Sequence, residues 1–141
     1  MTKIEHITRI RVRYADTDKM GYLYNGNYFS YFEVGRTELM RQYGMVYKTL
    51  EDEGYILPLI DSYAKYLLPA YYDDLLDVKA ELNYSGGALI KFEYSIFREN
   101  QLITTGFTSH IFVTSQGRKP VKPPRLFLDI ISSNSKIINK D

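Results

Sequence analysis

"YADTDKMGYLYNGNYFSYFEVGRTELM", residues Tyr14 to Met40, changes its rhythm part-way along. The first half is rich in Asp, Gly and Asn, residues that favour turns, and reads as a loop. From about Asn27 the apolar positions fall at intervals of three and four: Tyr28, Phe32, Gly35, Leu39 and Tyr43. That is the stripe of an amphipathic helix. Roughly 17 residues give about 25 Å of helix, enough to cross a sheet. Gly44 stands where a helix C-cap belongs. Gly35 inside the helix costs about 1 kcal/mol relative to alanine, a cost that close approach to a packed neighbour can offset.

Outward from this stretch the period becomes two. Upstream, Ile7 to Tyr14 alternate, with Ile10, Val12 and Tyr14 on one face and Arg9, Arg11 and Arg13 on the other. This predicts a half-buried strand whose arginine row is a solvated face, with phosphate binding as the lesser reading. Downstream, "MVYKTLEDEGY" predicts a short second helix or helical turn. Four strand-like runs follow: Ile56 to Leu68, Leu76 to Tyr84, Ile90 to Phe97 and Leu102 to Thr114. Pro58 in the first of these predicts a bulge or an edge. Ser85–Gly87 and Glu99–Gln101 turn the chain between strands. "SQGRKPVKPP" reads as a turn and extended chain, with one weak helical turn beyond Pro124 and a frayed end. One strand, one long helix and four strands with short connections predict an α+β fold with a five-stranded antiparallel sheet. Residues 1–141 read as a single domain.

Composition narrows the function. A net charge of +1 offers no clustered positive field for nucleic acid. The absence of cysteine excludes disulfides, thiolate metal sites and cysteine nucleophiles. "MTKIEHITRI" has no apolar core and reads as no secretory signal, and no run approaches a membrane span, so a cytoplasmic protein without membrane insertion is expected. Fourteen tyrosines against no tryptophan suit an interface or a ligand cleft, surfaces that are apolar with a wet edge. Neither histidine stands near the loop: His6 is expected to be exposed and His110 to be a satisfied strand residue. No cluster has metal-ligand spacing, no G-x-S-x-G elbow is present, and no Gly-rich phosphate loop appears.

The stretch "RYADTDKMGYLYNGNYFSYFEVGRTEL" resembles the signature of the 4-hydroxybenzoyl-CoA thioesterase family, which includes acyl-CoA thioesterases found beside the bacterial Tol-Pal envelope system. "YAKYLLPAYYDDLLDV" and "GFTSHIFVTSQGRKPVKPP" resemble later parts of the same family, so the similarity covers roughly residues 7 to 124, with 125–141 as a tail. The resemblance implies the hotdog fold, an antiparallel sheet wrapped around one long central helix, and hydrolysis of an acyl-CoA to free acid and CoA. It implies no cofactor beyond the coenzyme carried by the substrate. It also implies a homodimer or homotetramer, since in this fold a second subunit completes the cleft.

In the family the aspartate at the position of Asp18 is the catalytic nucleophile or general base; a structural turn is its other reading. Asn25 and Gly26 stand just before the helix, where unpaired backbone N–H groups and the positive dipole end can polarise a thioester oxygen. Gly26 leaves that approach open. Asp16 is expected to be a turn residue bonded to local backbone. The Tol-Pal branch has histidine, and the namesake enzyme tyrosine, at the position of Asn25; an amide there cannot exchange protons near neutrality. Tyr24 and Tyr28 are candidate substrate contacts, and Lys119, with Lys122, is a candidate for the coenzyme phosphates or a plain solvated turn. Glu33 is the runner-up carboxylate, because another hotdog branch places its catalytic acid at this depth of the helix; pairing with Arg36 or Thr37 is its structural reading. Two rival functions stay open: a non-catalytic module binding acyl-CoA or acyl carrier protein, and a hotdog dehydratase, which the missing histidine in the loop disfavours.

Overall fold

The alternation of β-branched and aromatic residues with charged ones sets up the sheet. The computed structural model describes residues 2–134 and 136–137. In chain order it contains β1 (Thr2–Arg11), α1 (Asn27–Gln42), α2 (Tyr47–Asp52), β2 (Tyr55–Ile56), β3 (Leu59–Tyr66), β4 (Leu75–Tyr84), β5 (Ile90–Arg98), β6 (Gln101–His110), β7 (Val113–Thr114), α3 (Arg125–Asn134) and β8 (Lys136–Ile137). The main sheet runs β3-β6-β5-β4-β1 with the two-residue β8 beside β1, and every pairing is antiparallel. β2 pairs with β7 in a separate ribbon. This is the expected α+β arrangement with five principal strands.

One face of the sheet carries the core. Leu76, Val78, Ala80 and Leu82 of β4 and Ile90, Phe92, Tyr94 and Ile96 of β5 are buried, as the period of two requires. α1 lies on this face. Phe32 stacks on Tyr94 with ring centroids 4.4 Å apart. Gly35 meets Val78 so closely that a Cβ there would come within 2.9 Å of Val78 Cγ1. Gly106 of β6 makes room for Phe32 in the same way: a Cβ would sit 2.6 Å from Phe32 Cε2 and against the Tyr63 carbonyl. Fully burying a side chain such as Phe32 or Leu39 is worth about 1.5–3 kcal/mol. Gly44, just past the helix, has φ +89°, as a C-terminal glycine should.

Several expectations need correction. The helix has 16 residues and is accompanied by α2 and α3, so one long central helix describes it only in part. β1 begins at Thr2 and ends at Arg11, earlier than expected. Tyr14 is 77% exposed because Tyr14–Asp16 form a 3-10 turn, closed by Asp16 N–H to Arg13 O and Thr17 N–H to Tyr14 O. The expected run from Ile56 to Leu68 divides at Pro58: Tyr55–Ile56 join β7, while β3 forms a sheet edge with a register shift between Leu59 and Asp61. The long last strand likewise ends at His110 and resumes as β7. The weak turn after Pro124 is instead a ten-residue helix, held by Phe127 packing edge-on to Phe112 and Tyr84. His6 is half-buried on the inner side of β1 rather than exposed. The tail was expected to fray; residues 135 and 138–141 lie outside the described ones. Among the described residues no helix is long and apolar enough to cross a membrane.

Candidate active site

The loop between β1 and α1 is fixed by two aspartates, and the local backbone bonding expected of Asp16 is made instead by Asp18. The Asp16 carboxylate holds side chains: it pairs with the Arg13 guanidinium at 3.0 Å and accepts the Tyr31 hydroxyl at 2.9 Å. Its backbone oxygen accepts the Asn27 side-chain amide and the Tyr24 N–H. Arg13 beside it holds the Asp16 carboxyl below the usual range. Burial and this carboxylate push the Tyr31 hydroxyl well above its ordinary value. Asp18 is the residue bonded to local backbone. Its Oδ1 accepts the N–H of Met20 at 2.9 Å and of Tyr22 at 3.3 Å, while Oδ2 has no partner among the described residues. The Asp18 backbone pairs with Tyr22 as well, so this carboxylate is clamped by one oxygen with the other free.

Gly26 caps α1, and no side chain caps the helix. Among the described residues the N–H groups of Asn25 and Gly26 donate to nothing, and the first turn carries no acid. No acid of the helix's own first turn therefore offsets its positive end, while the Asp16 carboxylate reaches α1 at Tyr31. The Asn25 side chain is exposed, and its carbonyl accepts the Tyr66 hydroxyl at 3.0 Å.

Beside this helix start lies a cleft of about 270 Å³ whose lining includes Tyr22, Asn25, Tyr28, Tyr66, Leu67 and Leu68. Tyr28 is buried, packed edge-on to Tyr66 with ring centroids 4.9 Å apart, and its burial raises the hydroxyl pKa. Arg98 braces the far wall by donating to Pro69 O and to Asp74.

The structure thus brings Asn25, Gly26 and Tyr28 together and ties Asp18 to them through Tyr22. Three other candidates lie elsewhere. Tyr24 leans over Gly26 rather than lining the cleft; a Cβ on Gly26 would meet its Cε2 at 2.9 Å. Lys119 is exposed in the turn after β7, where its backbone pairs with Thr114, and it borders neither the cleft nor the helix start. Glu33 is exposed on α1 without a partner among the described residues, because Arg36 turns inward to the hydroxyls of Tyr47 and Tyr94.

His110 is buried, as expected of a satisfied strand residue. Its Nε2 lies 2.9 Å from Thr108 Oγ1 and its Nδ1 3.4 Å from Leu57 O. Burial, with the positive charge of Arg36, lowers its pKa to about 4. Among the described residues no group of three or more His, Asp or Glu could hold a metal ion. Sequence reasoning missed Tyr66, Leu67 and Leu68 as cleft residues; their one signal was the apolar run "YLLP" at the end of an edge strand.

The model of the thioesterase-like superfamily matches residues 12–131. The acyl-CoA thioesterase YbgC of Haemophilus influenzae is 35% identical over 118 residues, covering 82% of this chain and 86% of that protein. Among solved structures, a DHNA-CoA thioesterase of Staphylococcus aureus superimposes with a TM-score of 0.83 at 35% identity, over 89% of this chain and 85% of that one. A hypothetical protein of Aquifex aeolicus gives a TM-score of 0.84 at 32% identity, over 89% and 98%. These likenesses carry the hotdog architecture that the sequence implied. By fold, by the loop and helix start, and by sequence, the chain belongs to the thioesterase-like superfamily.

Proposed function

We propose that the protein hydrolyses acyl-CoA thioesters to free acid and CoA at the N-terminus of α1. The observation that carries the reading is the clamped Asp18 carboxylate, one oxygen held by the backbone and one free, on the loop that leads through Tyr22 to a helix start whose Asn25 and Gly26 N–H groups have no acceptor among the described residues. The thioester oxygen accepts from those amides, which stabilise the charge that develops on it. Asp18 then acts in one of two ways. As nucleophile, Oδ2 bonds the acyl carbon, the C–S bond breaks, CoA leaves as thiolate, and water hydrolyses the mixed anhydride. As general base, Asp18 takes a proton from water as its oxygen attacks, and returns it to the departing thiolate. Both routes add one water across the C–S bond and draw on no metal or organic cofactor. Asn25 stays neutral and orients the thioester or the water.

A homodimer fits this chemistry. β3 is exposed along almost its whole length, with Leu59, Ile60, Tyr63 and Tyr66 all at least 42% accessible at a sheet edge. A second copy on that edge would cover these side chains and close the cleft at Tyr66 and Leu67. The absence of cysteine suits a reducing cytoplasm.

The test is release of CoA thiol from a panel of aromatic and aliphatic acyl-CoAs. Hydrolysis of at least one supports the reading. The amide at Asn25 favours one rival, a module that binds acyl-CoA or acyl carrier protein without turnover; tight binding of the panel with no thiol release would establish that rival instead.

A further inference from the structure

The far wall of the cleft is also the backing of the loop that carries Asp18. Between β3 and β4 the chain runs from Leu67 to Asp74 without a regular element. Its two ends are held by backbone. Leu67 and Leu68 N–H share the Ile103 carbonyl at 2.9 and 3.1 Å, while Val12 donates to the Asp74 carbonyl and accepts the Asp73 N–H. Between these anchors, Ala70 and Tyr71 meet the loop. The Ala70 carbonyl accepts the Leu23 N–H at 2.7 Å, Tyr71 bridges Tyr22, and their rings pack edge-on 5.3 Å apart. Tyr22 in turn clamps Asp18, giving its N–H to Oδ1 and accepting the Asp18 N–H.

We propose that Arg98 is a positioning residue for hydrolysis, holding Pro69–Tyr71 so that this stretch sets the aim of the Asp18 carboxylate. The inference rests on the thioester-hydrolase reading and adds to it a residue that acts through others. Three observations carry it.

The first is what the guanidinium holds. Arg98 is the last residue of β5, paired there to both β4 and β6, so the main sheet sets its position. One of its nitrogens donates to the Pro69 carbonyl and to Asp74 Oδ2, each at 2.9 Å. The same Asp74 oxygen accepts the Tyr71 N–H at 2.9 Å, so one ion pair fixes both ends of the three-residue stretch. The guanidinium also lies over the Tyr71 ring, 5.8 Å from its centroid. Among the described residues no other side chain donates to Pro69, Ala70 or Tyr71.

The second is shelter. The Arg98 and Asp74 side chains are 25% and 23% exposed, whereas in the Arg9, Arg11 and Arg13 pairs the arginine is at least 55% exposed. Water and salt weaken exposed pairs most, so the Arg98 pair is the one of these four built to hold a position.

The third is a division of labour. The Ile103 carbonyl holds Leu67 and Leu68 without help from Arg98. Removing the guanidinium therefore loosens the support of the Asp18 loop and spares the acyl-facing part of the wall.

The experiment separates kcat from KM by thiol release in Arg98→Met, Arg98→Gln and Arg98→Lys, with circular dichroism verifying the fold of each. Methionine and glutamine should lower kcat roughly tenfold or more, the scale of a small misplacement of a reacting group, with KM within about threefold. Lysine should recover most of the loss, since one nitrogen makes both contacts and an ammonium has donors for both. In an Asp18→Asn background, Arg98→Met should cost less than about twofold, because the group that it aims no longer reacts. Independently of turnover, the Leu23 amide should exchange with solvent roughly tenfold faster in Arg98→Met. A raised KM at unchanged kcat, full additivity with Asp18→Asn, or an unchanged Leu23 exchange rate would overturn the positioning role and leave the hydrolase reading intact. A wild type that releases no thiol would sink the hydrolase reading and the catalytic role of Arg98 with it, and faster Leu23 exchange would then support the mechanical link alone.

Discussion

The Tyr66 hydroxyl donates to the Asn25 carbonyl across 3.0 Å, tying the end of the edge strand to the start of α1. This contact spans 41 positions of sequence and fixes the peptide at the helix start, where the proposed mechanism places the thioester. Tyr66→Phe keeps the edge-on packing against Tyr28 and removes only the hydrogen bond. A net loss of about 1 kcal/mol is expected from such a deletion. Melting temperature should therefore fall by a few degrees, and kcat/KM should fall severalfold because the peptide at the helix start is no longer held, measured by thiol release alongside thermal denaturation. A fall in melting temperature with unchanged kcat/KM would show that the contact serves the fold alone.

Asp18→Asn should lower hydrolysis by at least ~100-fold, since an amide keeps the shape and still accepts the Met20 and Tyr22 N–H groups but supplies neither nucleophile nor base. Glu33→Gln, on an exposed part of α1, should leave turnover within about twofold, because surface changes of this kind are close to neutral. The reverse pattern would transfer the chemistry to the helix carboxylate.

His110 sets an acid limit on stability. Its pKa is about 4 in the folded protein, lowered by burial and by Arg36 on α1, with the Leu57 and Pro58 carbonyls and Asp61 acting weakly the other way. The unfolded chain protonates this residue near 6.5, so between these values the unfolded state binds more protons. Stability is fully present above pH ~6.5 and is lost as pH falls through 4. The loss amounts to about 3 kcal/mol at the acid end, at 1.36 kcal/mol per unit. Urea unfolding from pH 7 to pH 4 should show this slope, and His110→Gln should flatten it. The same ionisation lies outside the neutral range, so kcat/KM should show no imidazole limb near pH 6.5 unless one is installed by Asn25→His. A wild-type inflection there, removed by His110→Gln, would reverse this assignment.

The exposed apolar edge should be covered by a second copy. Sedimentation equilibrium at micromolar concentration should give a dimer or tetramer, and Ile60→Lys, which places a charge on the edge strand, should shift it toward monomer and lower activity with it. A wild-type monomer that hydrolyses acyl-CoA normally would mean that the cleft needs no partner.

What was legible in the sequence was what is local. Tyr28, Phe32, Gly35 and Leu39 share a face because a helix repeats every 3.6 residues, so the buried stripe was visible before any fold was known. Asp18, Asn25 and Gly26 lie within nine positions and are joined by one short loop. The far wall of the cleft was hidden, because Tyr66 to Pro69 reach it only through sheet pairing with β6. α3 was underestimated because its helicity depends on Phe127 meeting Phe112 and Tyr84, a packing term that propensity does not contain. The two aspartates were harder still: a loop sequence gives no sign of which carboxylate takes Arg13 and Tyr31 and which takes backbone amides.

Phe32 fits between Tyr94 and the bare backbone of Gly106, and this makes α1 an indexed part rather than a sliding one. Advancing the helix by a single residue would move it about 1.5 Å along its axis and drive the ring off the one position in β6 that lacks a side chain. Gly26 lies six residues from Phe32, about 9 Å away along the same rigid rod. In the proposed mechanism, the aim of the helix-start amides is thus calibrated by a lock in the hydrophobic interior. Precision at the thioester, on which rate depends steeply, is inherited from packing at a distance.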